Sequence, residues 1–171
     1  MPDIRPAAAG DLNEIWALVG RAVTHMNALG NPQWGSDYPT RAHYAGDIAR
    51  GELYAAVDGV GAILGIACLN TDQAPEYAPL PWRVPGPAMV VHRMAVDPAA
   101  QRQGVAAALF SFAEALARAR GIPAVHADTY WKNDRMRSLF LNRGYEKVGE
   151  VSFSRPQRPL GYPCFEKVLS P

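Results

Sequence analysis

The stretch from 88 to 129 constrains the fold more than any other part of the chain. "AMVVHRMAV" (88–96) is a mostly apolar run that reads as a largely buried strand. After "DPAAQRQG", the residues Val105, Leu109, Phe112 and Leu116 recur as one helical stripe. Arg118 and Arg120 fall in its last turn and Gly121 closes it. "AVHADTY" (124–130) gives the next strand. Strand, loop, helix, strand is a βαβ unit. A helix start leaves its first N–H groups unpaired and carries about half a positive charge, so the loop before this helix is either a plain connection or a seat for an anion.

The surrounding sequence says what packs on this unit. A short strand near "DIRPA" precedes Asp11, expected to cap a helix in which Leu12, Ile15, Trp16, Val19 and Val23 recur at helical spacing up to about Leu29. "NPQWGSDYPT" (31–40) interrupts it, and a second helix over about 40–50 ends at Gly51. "ELYAAVD" and "AILGIACLN" flank the turn Asp58 to Gly61, the pattern of a β-hairpin. Beyond the βαβ unit, "DRMRSLFLNRG" reads as a short helix, and "YEKVGEVSF" with "YPCFEKVL" as a closing strand pair. The expected order is β-α-α-β-β-β-α-β-α-β-β, an α/β fold with one central mixed sheet and helices on both faces.

At 171 residues and 49% hydrophobic composition, residues 1–171 suffice for a single domain with one core. Lys plus Arg number 17 against 16 Asp plus Glu, so no net field draws the chain to nucleic acid or to an anionic membrane. No apolar run approaches the roughly 20 residues that cross a bilayer, and "MPDIRPAAAGDLNEI" lacks the features of a signal peptide. Cys68 and Cys164 have no metal-ligand spacing with the four histidines and read as buried thiols, so neither a metal nor a disulfide framework is expected. A cytoplasmic protein is the resulting expectation. A homodimer is compatible with the sequence, which is otherwise silent on oligomeric state.

The loop itself narrows the choice. Gly104 and Ala106 leave room for an anion at the helix start, while Gln101, Arg102 and Gln103 add donors. The loop lacks the spacing and the lysine of a Walker A motif, and no G-x-G-x-x-G opens the helix. Gln101-x-x-Gly104-x-Ala106 resembles the acyl-CoA pyrophosphate signature [QR]-x-x-G-x-[GA] of the GNAT family of N-acetyltransferases, and "MAVDP" is similar to that family's strand end before it. "NDRMRSLFLNRGY", the closing "CFEKVL" and the element order extend the likeness over nearly the whole chain.

The resemblance implies a GNAT-like single domain in which acetyl-CoA enters a cleft between the strand at 88–96 and the next. It implies that the backbone of Met94 and Val96 holds the pantetheine arm and that amides of 102–106, Val105 and Ala106 among them, hold the pyrophosphate. An amide near Met94 or Ala95 would polarise the thioester carbonyl. Asn133 matches the family asparagine that approaches the pantetheine arm, and it is equally placed to cap the following helix. Phe140 stands where many members carry a tyrosine that protonates the departing sulfur. A thiol with pKa near 8.5 leaves tolerably without that proton.

An amine nucleophile also needs a base. His92 in "HRMAV" resembles the histidine of the arylalkylamine branch, and an unperturbed pKa near 6.5 would put its ionisation in the kcat/KM profile. Glu52, Glu76, Asp128, His126 and a water chain are the alternatives. Strand alternation puts His92, Met94 and Val96 on one face unless a bulge intervenes. Trp34, Tyr38, Tyr77 and Trp82 cluster in 31–40 and 71–87, the segments expected to cover an acceptor pocket; such aromatics equally plug a core edge. The expected function is transfer of acetyl from acetyl-CoA to a primary amine, on a small molecule or a protein N-terminus, by direct attack. The alternative, raised by Phe140, is a non-catalytic acyl-CoA-binding regulatory domain of the same fold.

Overall fold

The computed structural model describes residues 1–153 and 161–171. Part of the proline-rich stretch at 155–163 therefore lies outside the described residues. In chain order the elements are β1 (Asp3–Pro6), α1 (Leu12–Ala28), α2 (Arg41–Ala49), β2 (Leu53–Val57), β3 (Ile63–Asn70), β4 (Met89–Val96), α3 (Val105–Ala119), β5 (Ala124–Asp128), α4 (Asp134–Asn142), β6 (Glu146–Val151) and β7 (Tyr162–Val168). This is the order that the sequence predicts.

The strands form one sheet in the order β1-β2-β3-β4-β5-β7-β6. Every neighbouring pair is antiparallel except β4 and β5, which run parallel and register only at Met89–Val125 and Val90–His126. From Val91 onward no described strand pairs with that edge of β4, so the sheet opens there. One face of the sheet packs against α3 and α4 through Leu69, Met89, Leu109, Phe110, Val125 and Phe140. The other packs against α1 and α2 through Ile15, Leu18, Val19, Tyr44, Ile66 and Cys68.

Two local expectations change. Asp11 makes no side-chain cap to α1; a 3-10 turn at Ala9–Asp11 comes first, and the carboxylate accepts from Arg5 and from the Ala8 amide at 2.7 Å. A charged partner within reach outcompetes the helix amides. The buried face of α3 is also wider than the predicted line: Val105 and Leu109 are buried as expected, Phe112 and Leu116 pack against the same core only partly covered, and Phe110 joins them at 1% exposure. The chain brings α3 close to the sheet: a Cβ on Gly65 of β3 would lie 2.8 Å from the Val105 side chain and 3.1 Å from the Ala95 carbonyl. Among the described residues no helix is long and apolar enough to cross a membrane.

Candidate active site

The site begins with an irregularity in β4. Ile66 pairs with Ala95 and Cys68 with His92, so Arg93 and Met94 together oppose the single Ala67. That is a β-bulge, and Arg93 takes its left-handed residue at φ 47°. A non-glycine residue persists in that region only when its surroundings hold it. Here the guanidinium makes a two-pronged bond to Asp47, Nε to Oδ2 at 2.8 Å and Nη2 to Oδ1 at 2.7 Å, and the Tyr44 hydroxyl donates to the Arg93 carbonyl at 3.4 Å. Asp47 has 0% exposure and also accepts from Arg50 at 2.6 Å.

The bulge reverses side-chain parity along the strand. His92 lies beside Cys68 and Asn70 on the α1/α2 face, whereas Met94 and Val96 pack with Val91 against the α3 cluster. The expectation that His92, Met94 and Val96 share one face therefore fails, because the extra residue shifts a period of two by one.

Two cavities meet at this strand. The larger, about 780 Å³, is lined by Ala95, Val96, Gln101, Arg102, Gly104, Val105 and Ala106. The smaller, about 370 Å³, is lined by His92, Tyr38, Tyr77, Asp128 and Phe140. Trp34, Met94 and Asn133 line both, so the spaces adjoin.

The larger cavity suits a phosphorylated ligand. Gly104 sits at φ 78°, where a Cβ would meet nothing within 4 Å, so the space in front of it is open to a ligand. Ala108 donates to the Gly104 carbonyl, which leaves the amides of Val105, Ala106 and Ala107 without a partner inside the helix. Arg102, Lys132 and Arg135 stand among the lining residues and make this rim locally cationic in a nearly neutral chain. These features fit the pyrophosphate of acyl-CoA. Asn133 does cap α4, accepting from the Met136 amide at 3.1 Å, while it lines both spaces.

Gln103 and Trp82 line neither cavity. The Gln103 amide donates back to the Ala99 carbonyl at 3.2 Å, a local bond that occupies it. Trp82 stacks on His126 with ring centroids 3.7 Å apart and donates to the Tyr77 carbonyl at 2.9 Å. Beneath it the buried Glu166 accepts from His126 Nε2 at 2.9 Å and from the Arg83 amide at 2.8 Å. Trp82 thus fastens the 71–87 loop to β5 inside the sheet and lines neither cavity.

His92 is tied to Asn70, with Nε2 2.7 Å from Oδ1. Burial, and then the neighbouring Arg93 charge, pushes its pKa down to about 4, outweighing the pull of Asp47 and Asp72. The ring is therefore neutral at physiological pH, and the expected ionisation near neutrality is displaced well below it. His126 lies within the core on Glu166, so it faces neither cavity. Asp128 accepts from the Tyr77 hydroxyl. Burial pushes the Cys68 thiol up to about 12 and raises Cys164 as well, so both thiols stay protonated. Phe140 has 1% exposure and packs among Phe110, Tyr145 and Phe165. The Tyr145 hydroxyl is spent on Glu114 at 3.1 Å.

Asp47 and Asn70, together with Glu52, which the sequence offers only as an alternative base, and Cys68, read there as a buried thiol, form the support beneath the site. Asp47, Glu52 and Cys68 each bring a potential ligand atom within 4.8 Å of the others, yet Arg50 and Arg93 already neutralise the carboxylates. One signal does exist: Asp47 follows the buried Tyr44 by three residues, so an acid falls on the core stripe of α2.

A groove at a helix start, joined to a side-chain pocket where the sheet opens, is an arrangement that suits an acetyltransferase. The model of the acetyltransferase (GNAT) family matches residues 22–145, and the chain belongs to that family. Among solved structures, a GNAT-family acetyltransferase from Streptococcus agalactiae superposes with a TM-score of 0.85 at 21% identity, over 99% of this chain and 96% of that one. One from Listeria monocytogenes gives 0.77 at 19% identity, covering 98% and 95%. The ribosomal-protein-S18-alanine N-acetyltransferase from Escherichia coli gives 0.70 at 16%, covering 99% and 95%. At these identities the likeness speaks to the fold alone. No curated protein matches the chain in sequence.

Proposed function

We propose that this chain moves an acetyl group from acetyl-CoA to a primary amine by direct attack within a ternary complex. The observation that carries the reading is the meeting of the two cavities at Trp34, Met94 and Asn133, on the stretch of β4 that the bulge redirects and β5 leaves unpaired. Acetyl-CoA supplies an activated thioester. Amides of 102–106 at the start of α3 hold its pyrophosphate, and the unpaired edge of β4 at Met94 and Val96 offers backbone groups to the pantetheine arm, with Asn133 beside it. An amide near Met94 or Ala95 polarises the carbonyl as charge develops on its oxygen. Trp34, Tyr38 and Tyr77 enclose the acceptor, and His92 draws the proton from its nitrogen, directly or through one water. A neutral imidazole needs no prior deprotonation, but a low pKa makes it a weak base. The acceptor amine's own ionisation therefore governs the pH dependence.

The test is a panel of alkylamines, arylalkylamines, amino acids and peptides with free N-termini, incubated with acetyl-CoA while thiol release and the acetylated product are followed. Release with at least one amine supports the reading. Phe140, an apolar ring where a hydroxyl acid would stand, favours the second reading of a non-catalytic acyl-CoA-binding regulatory domain. Tight acetyl-CoA binding without thiol release across the panel would establish it.

A further inference from the structure

We infer that Asn70 and Glu52 are positioning residues that fix the tautomer of His92, leaving Nδ1 as the ring's basic nitrogen. The inference rests on the reading of His92 as the base. Asn70 is buried at 8% exposure, and both ends of its amide are assigned by partners whose roles have no alternative. The Asp72 backbone amide only donates, and it points at Asn70 Oδ1 from 3.0 Å. The Glu52 carboxylate only accepts, and it takes Asn70 Nδ2 at 3.0 Å. Turning the amide over would set a donor against a donor and an acceptor against an acceptor, so both bonds fix the same orientation.

Oδ1 is then the only Asn70 atom facing His92 Nε2 at 2.7 Å, and an amide oxygen cannot donate. Nε2 must carry the hydrogen. A neutral imidazole has one hydrogen and one lone pair, so the lone pair is on Nδ1. Glu52 is held in turn by Arg50, Nε to Oε2 at 3.1 Å, and its main chain accepts from the Leu69 amide at 2.8 Å. The chain Arg50, Glu52, Asn70, His92 thus runs from a half-exposed guanidinium to the acceptor pocket. An amide cannot relay protons along it, so its contribution is orientation.

Nitrogen-15 NMR of histidine-labelled protein, with His92→Gln to assign the signal, reads the tautomer directly. The expected spectrum has the proton on Nε2 and Nδ1 at the unprotonated position; a proton on Nδ1 would overturn the inference. Asn70→Leu removes the acceptor at nearly constant volume. It should mix the tautomers and lower kcat by about tenfold or more, bounded by the roughly 10² to 10⁴ that a general base supplies, with acetyl-CoA KM unchanged. The double variant Asn70→Asp with Glu52→Gln exchanges donor and acceptor between the two positions while keeping their summed charge. It should restore the Nε2–H tautomer and most of the turnover; a double variant as impaired as Asn70→Leu in both readouts would overturn the pairing. An Nε2–H ring together with near-normal turnover in His92→Gln would keep the hydrogen-bond assignment and overturn its catalytic purpose, so the two failures are told apart.

Discussion

The two cavities are built from opposite materials. The larger cavity, read as the donor groove, relies mainly on backbone, with a loop, the amides at the start of α3 left without helix partners and the unpaired edge of β4, beneath a rim that carries Arg102, Lys132 and Arg135. The smaller cavity, read as the acceptor pocket, is made of side chains from many distant segments, among them Trp34 and Tyr38 ahead of α2, Tyr77 in the loop before β4, His92 on β4, Asp128 on β5 and Phe140 on α4. Backbone chemistry is the same for any residue, so this part of the groove asks mainly for the right φ and an absence of bulk, which one short stretch of sequence can encode. The pocket asks for particular atoms at particular distances, and only the tertiary fold supplies them. Substitutions should therefore fail differently in the two regions: in the groove through shape, in the pocket through hydrogen bonds and protonation.

The largest effect is expected where shape is decisive. Gly104→Val puts a branched side chain into open space that the ligand needs, on a residue at φ 78°. Calorimetric titration should find acetyl-CoA affinity lost by two orders of magnitude or more. The strained backbone should cost only about 1–3 kcal/mol, leaving the fold assembled. Wild-type affinity in the folded variant would break the assignment of the groove.

In the pocket, His92→Gln should keep acetyl-CoA affinity and lower kcat by roughly 10² to 10⁴. The kcat/KM of the wild type should show no histidine ionisation between pH 6 and 7, since His92 titrates at about 4, and should instead rise with the acceptor amine's deprotonation. The same shift predicts a stability window. Between about pH 6.5 and 4 the unfolded chain binds the His92 proton and the folded chain does not, so stability is full above that window and falls as pH drops through it. His92→Gln should flatten this acid-side fall by up to about 3 kcal/mol in denaturant titrations at pH 7 and pH 4. An ionisation near pH 6.5 that disappears in the variant would show that the ring is far wetter than its burial implies.

Asp47 tests what holds the bulge between the two regions. Asp47→Asn leaves the Arg93 guanidinium, at 14% side-chain exposure, without its buried charge partner, and should cost about 3–5 kcal/mol in chemical denaturation. Turnover should fall further than acetyl-CoA binding, because the bulge governs where His92 points while the groove relies on α3. Equal losses of both would mean that the bulge serves general stability alone.

The same contrast explains what was legible in the sequence. Every strand and helix appeared in its right order because apolar runs and turn residues mark each one, and the loop before α3 stood out because Gln101, Gly104 and Ala106 lie within six residues. His92 and Tyr38 could be nominated as types but not placed. Whether His92 faced Met94 depended on one extra residue in β4, and that residue is an arginine with no local turn signal, held by an acid 46 positions away. Trp82 could not be assigned between pocket wall and core plug for a similar reason: its stacking partner His126 and the buried Glu166 bonded to that ring belong to strands that sequence distance hides. Asn70 carried no motif at all, and Glu52, nominated as an alternative base, turns out to bond to that amide.

The smallest effect is expected at Phe140, where shape and protonation meet. The ring is 1% exposed and packs edge-on against Phe110 at 5.3 Å and tilted against Phe165 at 4.8 Å, yet it also lines the acceptor cavity. Phe140→Tyr adds one oxygen to this position. A hydroxyl that reaches the cavity keeps its solvation and gains the chance to protonate the departing sulfur; one that stays in the core costs about 1–3 kcal/mol as an unpaired polar group. Since a thiolate already leaves tolerably near neutral pH, kcat should rise by no more than about threefold or stay level. Steady-state kinetics beside a thermal melt separates the cases. Unchanged melting with modestly higher turnover places the hydroxyl in the cavity. A lower melting temperature with level turnover places it among the aromatics. A large loss of turnover in a variant that melts like the wild type would show that the acceptor pocket needs an apolar ring there, and that this corner of it is governed by shape in the same way as the groove.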